Sequence, residues 1–114
     1  MLTQRVSQLI ATVLSESSPQ QGQKARSSSN FSIIKPPQGT KKIEFHVYDL
    51  SDSDEDVSHR ISFTIAREVR GKDKIIFNSV YDGFDTNYVD LVNCYISQPW
   101  GTKGPFKVEV YATI

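Results

Sequence analysis

The 114-residue sequence has one cysteine, no long apolar run and no surplus of charge, and each absence excludes a class of protein. A single cysteine cannot form the internal disulfide that small secreted domains often use, so we expect an intracellular protein of the cytoplasm or nucleus. No apolar stretch is long enough to cross a bilayer, and no basic segment precedes the first apolar residues. Neither a membrane partner nor a signal peptide is therefore predicted.

The sequence also lacks a motif for catalysis or metal binding. Nucleophilic catalysis needs a nucleophile, a base and an orienting group, and the chain offers only Cys94, His46 and His59. By helical spacing Cys94 should be exposed, and His59 should lie on the apolar side of a strand. Two histidines and one cysteine are too few for a zinc site. We expect a protein that is not an enzyme and holds no metal and no cofactor.

The charges balance in number but are segregated along the chain. Thirteen Lys and Arg oppose thirteen Asp and Glu, so the total charge does not favour nucleic acid or membrane. Residues 1–48 carry six basic residues against two acidic ones, whereas residues 49–56 carry five acids and no base. This acidic segment is the most unusual feature of the composition.

The N-terminal segment has the spacing of an amphipathic helix. Apolar residues at positions 2, 6, 9, 10, 13 and 14 fall within an arc of about 140° at helical spacing. The pattern predicts a helix over 1–16. Residues 17–30 are almost entirely polar, Gly or Pro and predict a flexible linker. A single α+β domain is then predicted over 31–114.

Strand signals dominate that domain. Apolar and polar residues alternate over Lys41–Leu50, Val57–Val69 and Phe106–Ile114, which is typical of half-buried strands. Lys74–Tyr81 is rich in β-formers and Phe31–Lys35 predicts a short opening strand. The stretch 41–82 is therefore predicted to be an antiparallel meander.

One further helix completes the predicted fold. Asp85 is placed as an N-cap, and six apolar residues up to about Ser97 share one helical arc. The predicted order is α-β-β-β-β-α-β, an antiparallel sheet of about five strands with one face covered by one or two helices. The alternative is a small antiparallel barrel with an N-terminal helix.

The acidic loop 49–56 suggests two functions, calcium binding and phosphorylation. Asp52, Asp54 and Asp56 resemble the start of a calcium-binding EF-hand loop, but the required Gly and Glu positions hold Val57 and Phe63, so we reject that motif. A looser calcium site that includes Asp82 and Asp85 is an alternative. Ser51 and Ser53 each have an acid three residues later, which suits phosphorylation by an acidophilic kinase.

The flank of this loop resembles a known interaction motif. Val47-Tyr-Asp-Leu50 followed by Ser51-Asp-Ser-Asp-Glu-Asp56 is similar to the SUMO-interacting motif, a short apolar strand with an acidic, serine-bearing tail. The resemblance implies binding by strand addition and by charge complementarity to a basic groove.

These features favour a non-catalytic protein-interaction or self-associating module that uses the tethered N-terminal helix and the acidic loop. Homo-oligomers are expected from this hypothesis. The predicted contact residues are Leu2, Val6, Leu9, Val13, Tyr48, Leu50, Asp52, Asp54, Glu55, Asp56 and Trp100.

Two other functions remain open at the level of sequence. One polar sheet face could stack nucleic-acid bases, and its predicted members are His46, Tyr48, Arg60, Ser62, Thr64 and Tyr111. The other is a small enzyme in which His46 or His59 meets acids from the two Asp-rich turns.

Overall fold

A computed structural model describes residues 7–15, 36–50, 58–101 and 105–114, and these residues form two antiparallel β-sheets. The strands are β1 (Ser7–Ser15), β2 (Lys42–Asp49), β3 (Ser62–Val69), β4 (Lys72–Tyr81), β5 (Asp85–Thr86), β6 (Cys94–Trp100) and β7 (Phe106–Thr113). One sheet has four strands in the order β1-β7-β2-β5, and the other has three in the order β4-β3-β6. The only helical element among the described residues is a 3-10 turn, Ser58–Arg60.

The two sheets pack face to face around one core. β2 and β7 pair without interruption over eight residues, which turns alternate side chains inward. The Phe63 ring of the three-stranded sheet stacks on the Phe106 ring of the four-stranded sheet, with centroids 5.8 Å apart. The core takes apolar side chains from both sheets: Val13, Ile43, Phe45, Val47, Ile61, Phe63, Ile65, Val80, Leu91, Cys94, Ile96, Phe106, Val108, Val110 and Ala112. The fold is therefore a small β-sandwich.

Both predicted folds are wrong, because each required an N-terminal helix. Residues predicted to be helical form β1, an edge strand that pairs with β7. A β-bulge between Leu9 and Ala11 shifts the alternation by one residue. Apolar residues therefore fall at 9, 10, 13 and 14, which is also the spacing of a helical stripe.

The second predicted helix, Asp85–Ser97, is also wrong. Asp85 does not cap a helix but pairs with Glu44 in the short strand β5. The chain then crosses to the other sheet, and Asn93 adopts a φ of 61° just before β6 begins. Cys94 and Ile96 point into the core while Tyr95 is buried on the opposite side of β6. Burial on both sides of β6 produces a continuous apolar run, which periodicity cannot distinguish from a helix.

Four of the predicted strands are confirmed, but the predicted meander is not. β2, β3, β4 and β7 correspond to the predictions 41–50, 57–69, 74–81 and 106–114, although β3 begins only after the 3-10 turn. Among the described strands, only β3 and β4 form a hairpin, through Arg70 and Gly71 at positive φ. β2 lies in the other sheet, between β7 and β5. The predicted strand 31–35 and linker 17–30 lie outside the described residues.

Candidate functional site

The structure separates the predicted contact residues onto two sheets. Leu9 and Tyr48 lie on the exposed side of the four-stranded sheet, whereas Trp100 ends β6 in the three-stranded sheet. Val13 is only 7% exposed and belongs to the core, so it is not available to a partner. Leu50 is exposed just after β2. The other predicted residues lie outside the described ranges: Leu2, Val6, Ser51, Asp52, Ser53, Asp54, Glu55 and Asp56.

The outer face of the four-stranded sheet, the side turned away from the core, arranges its side chains in cross-strand rows. From β1 through β7 to β2, the rows are Leu14, Lys107 and Tyr48, then Thr12, Glu109 and His46, then Leu9, Tyr111 and Glu44. Leu14 is 66% exposed and Leu9 is 45% exposed. The face therefore changes from apolar along β1 to polar and charged along β7 and β2.

Glu109 is the centre of the polar part of this face. Its Oε1 accepts a hydrogen bond of 3.2 Å from the Tyr111 hydroxyl, and its Oε2 lies 3.9 Å from the Lys107 ammonium. The Lys107 ammonium also lies over the Tyr48 ring, 4.9 Å from its centroid. Partial burial raises the pKa of Tyr48, and a hydrogen bond to Glu109 with the negative charge of that carboxylate raises it further.

His46 occupies the side of this network next to β5. Its Nε2 lies 3.2 Å from Glu44, and its Nδ1 lies 4.0 Å from Asp82. The imidazole ring meets the Tyr111 ring edge-on, with centroids 5.1 Å apart. Asp82 also accepts a hydrogen bond of 2.9 Å from the Val47 backbone N–H. Tyr111 was predicted only for the nucleic-acid face and Asp82 only for the alternative calcium site, and Glu109 was not predicted as a site residue. Only the tertiary structure shows that all three belong to one network.

The structure does not bring together the side chains considered for nucleophilic catalysis. Cys94, predicted to be exposed, is fully buried, and burial raises the pKa of its thiol despite the lowering effect of Arg67. His59, predicted on an apolar strand side, is exposed in the 3-10 turn. The described residues hold no group of three metal-ligating side chains.

The proposed nucleic-acid face is divided between the sheets. His46, Tyr48 and Tyr111 lie on the outer face of the four-stranded sheet. Ser62 and Thr64 belong to the three-stranded sheet, and Arg60 precedes it. Because the two outer faces of a sandwich point in opposite directions, these six residues do not form one platform.

The segment that resembles a SUMO-interacting motif is internal to the fold. Val47 is buried, and its backbone N–H already donates to Asp82. The backbone N–H of Asp49 donates to the Ser58 hydroxyl at 2.8 Å. Strand addition needs exposed backbone groups, so this part of β2 has little to offer a partner.

The edges of the two sheets differ in how they are protected against pairing. β4 begins with Lys72, Asp73 and Lys74, β6 contains Pro99, and β5 is only two residues long. Charge, proline and short length are the devices by which edge strands avoid association. β1 is nine residues long with no charged residue, no proline and no glycine, and a single bulge is its only such device. Within the described residues, no strand lies beyond β1.

No protein-family model, curated protein or solved structure matches this chain. No relative therefore supplies a function. Among the described residues, no helix is long and apolar enough to span a membrane.

Proposed function

We propose that this protein is a non-catalytic interaction module that associates with a second copy of itself through the outer edge of β1. The observation that supports this proposal is the contrast between the edges. β1 is a long edge strand without charge or proline, whereas β4, β5 and β6 each carry a protective feature. The N-terminal segment thus keeps its predicted role in association, but as a strand rather than a helix.

The composition of β1 favours a second copy of this chain as the binding partner. Two copies of an uncharged strand can pair in antiparallel fashion about a two-fold axis without bringing like charges together. Such pairing would join the two four-stranded sheets into one of eight strands. It would also place Leu9 and Leu14 of both copies on the same outer face, where they bury apolar surface.

The expected dimer is small and concentration-dependent. Nine residues of strand extend over roughly 30 Å, and a single strand pair with a few leucines is at the low end of specific interfaces. We expect association in the micromolar range rather than a permanent dimer. The acidic loop lies outside the described residues, and its contribution stays a prediction.

The decisive experiment is the mass in solution, by sedimentation or light scattering, of the full chain over a concentration series. The test variant is Leu14→Glu. Leu14 lies opposite Lys107, so a glutamate there gains a cross-strand partner and the monomer should stay folded. In the dimer the same change replaces apolar contact with charge, and we expect at least tenfold weaker association.

Ile75→Glu is the matched control, because Ile75 is 54% exposed on β4 in the other sheet. This control should associate like the wild type. A wild-type chain that stays monomeric at all concentrations would contradict the proposal. So would a Leu14→Glu variant that dimerises as tightly as the wild type.

A further inference from the structure

The bulge in β1 places Leu9 and Leu14 at equal distances from Thr12 on the outer face. These three residues, the edge triplet, pair with positions 111, 109 and 107 of β7, which are evenly spaced. In sequence the intervals are unequal, and the extra residue of the bulge makes up the difference. Thr12 is exposed, as are Leu9 and Leu14. The triplet therefore reads Leu-Thr-Leu from either end.

The edge triplet also turns its backbone groups away from β7. In β2, the backbone N–H of Phe45 donates to the Phe84 carbonyl at 2.9 Å, on the side opposite β7. Backbone groups of successive residues point to alternate sides of a strand, so Val110, the β7 partner of Phe45, turns its own groups toward β1. Positions 107, 109 and 111 then turn toward β2. Their β1 partners, the edge triplet, present N–H and C=O groups to the edge beyond which no described strand lies.

A two-fold axis through Thr12 pairs the edge triplet with its own copy. Thr12 then faces Thr12 of the second copy, and Leu14 of each copy faces Leu9 of the other. Each such pair exchanges two backbone hydrogen bonds, so the triplets provide about six. Opposed threonines can bond through their hydroxyl groups, and opposed leucines bury apolar surface.

Other axes do not match the leucines. An axis through Ala11 would oppose Leu9 to Thr12 and Leu14 to Ser7, and would set the two bulges against each other. An axis through Val13 would oppose Leu14 to Thr12 and would place Leu9 opposite position 16, past the end of β1. An axis through either leucine leaves the other leucine opposite a position outside β1. Only the axis through Thr12 opposes both leucines to leucines.

We propose that two copies of this protein pair about a two-fold axis through Thr12, with Leu14 of each copy in contact with Leu9 of the other. The pairing rests on the β1 dimer proposed above and assigns the contacts within it. A bulge usually protects an edge strand against association. In β1 it instead brings Leu9 into step with Leu14 and makes the edge complementary to itself.

Disulfide formation in the full-length Thr12→Cys variant tests the axis, with oxidised glutathione as the oxidant. Opposed residues of this kind have Cα atoms about 5.5 Å apart, which a disulfide can bridge. Leu14→Cys is the matched control on the same strand and face, because the two copies of position 14 would be about 14 Å apart along the strands. We expect Thr12→Cys to form the covalent dimer roughly tenfold faster or more. The wild type is the blank, since its only cysteine, Cys94, is fully buried.

An equal mixture of Leu9→Cys and Leu14→Cys, one of them isotopically labelled, provides a second measurement. The mixture should give a covalent dimer with one chain of each, whereas neither variant alone should cross-link. This result would also show that both variants fold and associate.

Sedimentation of the wild type separates failure of the axis from failure of the dimer. A chain that stays monomeric at every concentration would contradict both proposals. If the wild type dimerises, two results would overturn the axis alone. One is cross-linking of Leu14→Cys to itself, and the other is faster cross-linking of Thr12→Cys to Leu9→Cys or Leu14→Cys than to itself.

Discussion

The two sheets of this protein are stabilised in different ways. In the four-stranded sheet, β2 and β7 pair over eight consecutive residues without a bulge, and charged and hydroxyl side chains around Glu109 connect the outer face. In the three-stranded sheet, β3 has irregular register with both neighbours. Its connections contain Gly71, Asn93 and Gly101 at positive φ, and the side chain of Arg67 holds one of them. Beside the four-stranded sheet, Gly39 and Gly83 also have positive φ.

The outer face of the four-stranded sheet is stabilised by contacts between side chains, whereas the three-stranded sheet depends on close backbone geometry. An exposed side-chain network is a sum of small contributions, so the loss of one member costs little. A backbone that approaches another backbone closely has no way to relax when an atom is added. The contrast predicts that single changes in the three-stranded sheet cost more stability than single changes on the outer face of the four-stranded sheet.

The largest effect is expected for Gly101→Ala. The added Cβ would lie 2.1 Å from the Arg60 carbonyl oxygen, and the φ of 91° is itself unfavourable for alanine. Because the end of β6 must move away from the 3-10 turn, we expect a loss of about 3–5 kcal/mol in the free energy of unfolding, measured with urea.

Gly71→Ala is the matched control for this change. Gly71 has a similar φ of 79°, but a Cβ there would meet no atom within 4 Å. The loss in the free energy of unfolding should therefore come only from backbone strain and be about 1–2 kcal/mol. Equal losses for the two variants would show that close packing at Gly101 contributes nothing.

An intermediate effect is expected for Arg67→Met. The Arg67 guanidinium donates to the Val92 carbonyl at 2.9 Å and to the Asp90 carbonyl, and lies 3.2 Å from the Tyr88 hydroxyl. These bonds fasten the segment that crosses from β5 to β6. Methionine keeps most of the aliphatic stem but none of the donors, so we expect a loss of about 2 kcal/mol in urea unfolding.

The control for this variant is Arg70→Met, because Arg70 is exposed in the β3–β4 turn and keeps its φ of 54° with either residue. This change should alter stability by no more than about 0.5 kcal/mol. If Arg67→Met were as mild as the control, the crossing segment would not depend on this side chain.

The smallest effect is expected for Glu109→Gln in the four-stranded sheet. The variant loses the negative charge next to Lys107 on β7 and weakens the hydrogen bond to Tyr48, so we expect a loss of about 1 kcal/mol in the free energy of unfolding at neutral pH. The pKa of Tyr48 is raised in the folded protein, first by partial burial and then by Glu109. A raised tyrosine pKa stabilises the fold below the ordinary value of about 10, and this stability is lost as the pH rises through the folded-state pKa.

Removal of the carboxylate should lower the pKa of Tyr48 toward its ordinary value. The stability difference between wild type and Glu109→Gln should then narrow above pH ~10, as measured by urea unfolding and by absorbance titration of the tyrosines. Glu68→Gln, on β3 of the other sheet, should leave the tyrosine titration unchanged. A constant difference between wild type and Glu109→Gln at every pH would contradict the assigned role of Glu109.

The same difference between the sheets explains which elements could be predicted from sequence. β2 and β7 are regular and half-buried, so their period-two pattern survives in the sequence. β6 is buried on both sides from Cys94 to Ser97, and β1 contains a bulge that displaces its alternation. Each departure from period two produced a pattern that also fits a helix, and both helix predictions were wrong.

The candidate surfaces were predictable only in part. Leu9, Tyr48 and Trp100 were predicted as contact residues and are exposed. The sequence does not show that Leu9 and Leu14 are equally spaced from Thr12, because that spacing depends on the bulge against β7. Nor does it show that β1 is an edge strand, because edge position depends on which strands pair.

The sequence by itself determined that this chain is rich in antiparallel strands, because local alternation of apolar and polar side chains follows from the geometry of an extended chain. Only the tertiary structure decided that β2 and β3 lie in different sheets and that β1 is an edge strand of the four-stranded sheet. It also decided that Glu109 contacts Tyr48, Lys107 and Tyr111. These outcomes depend on pairing between residues far apart in sequence. Such pairing is chosen by burial of the whole core and not by any one segment.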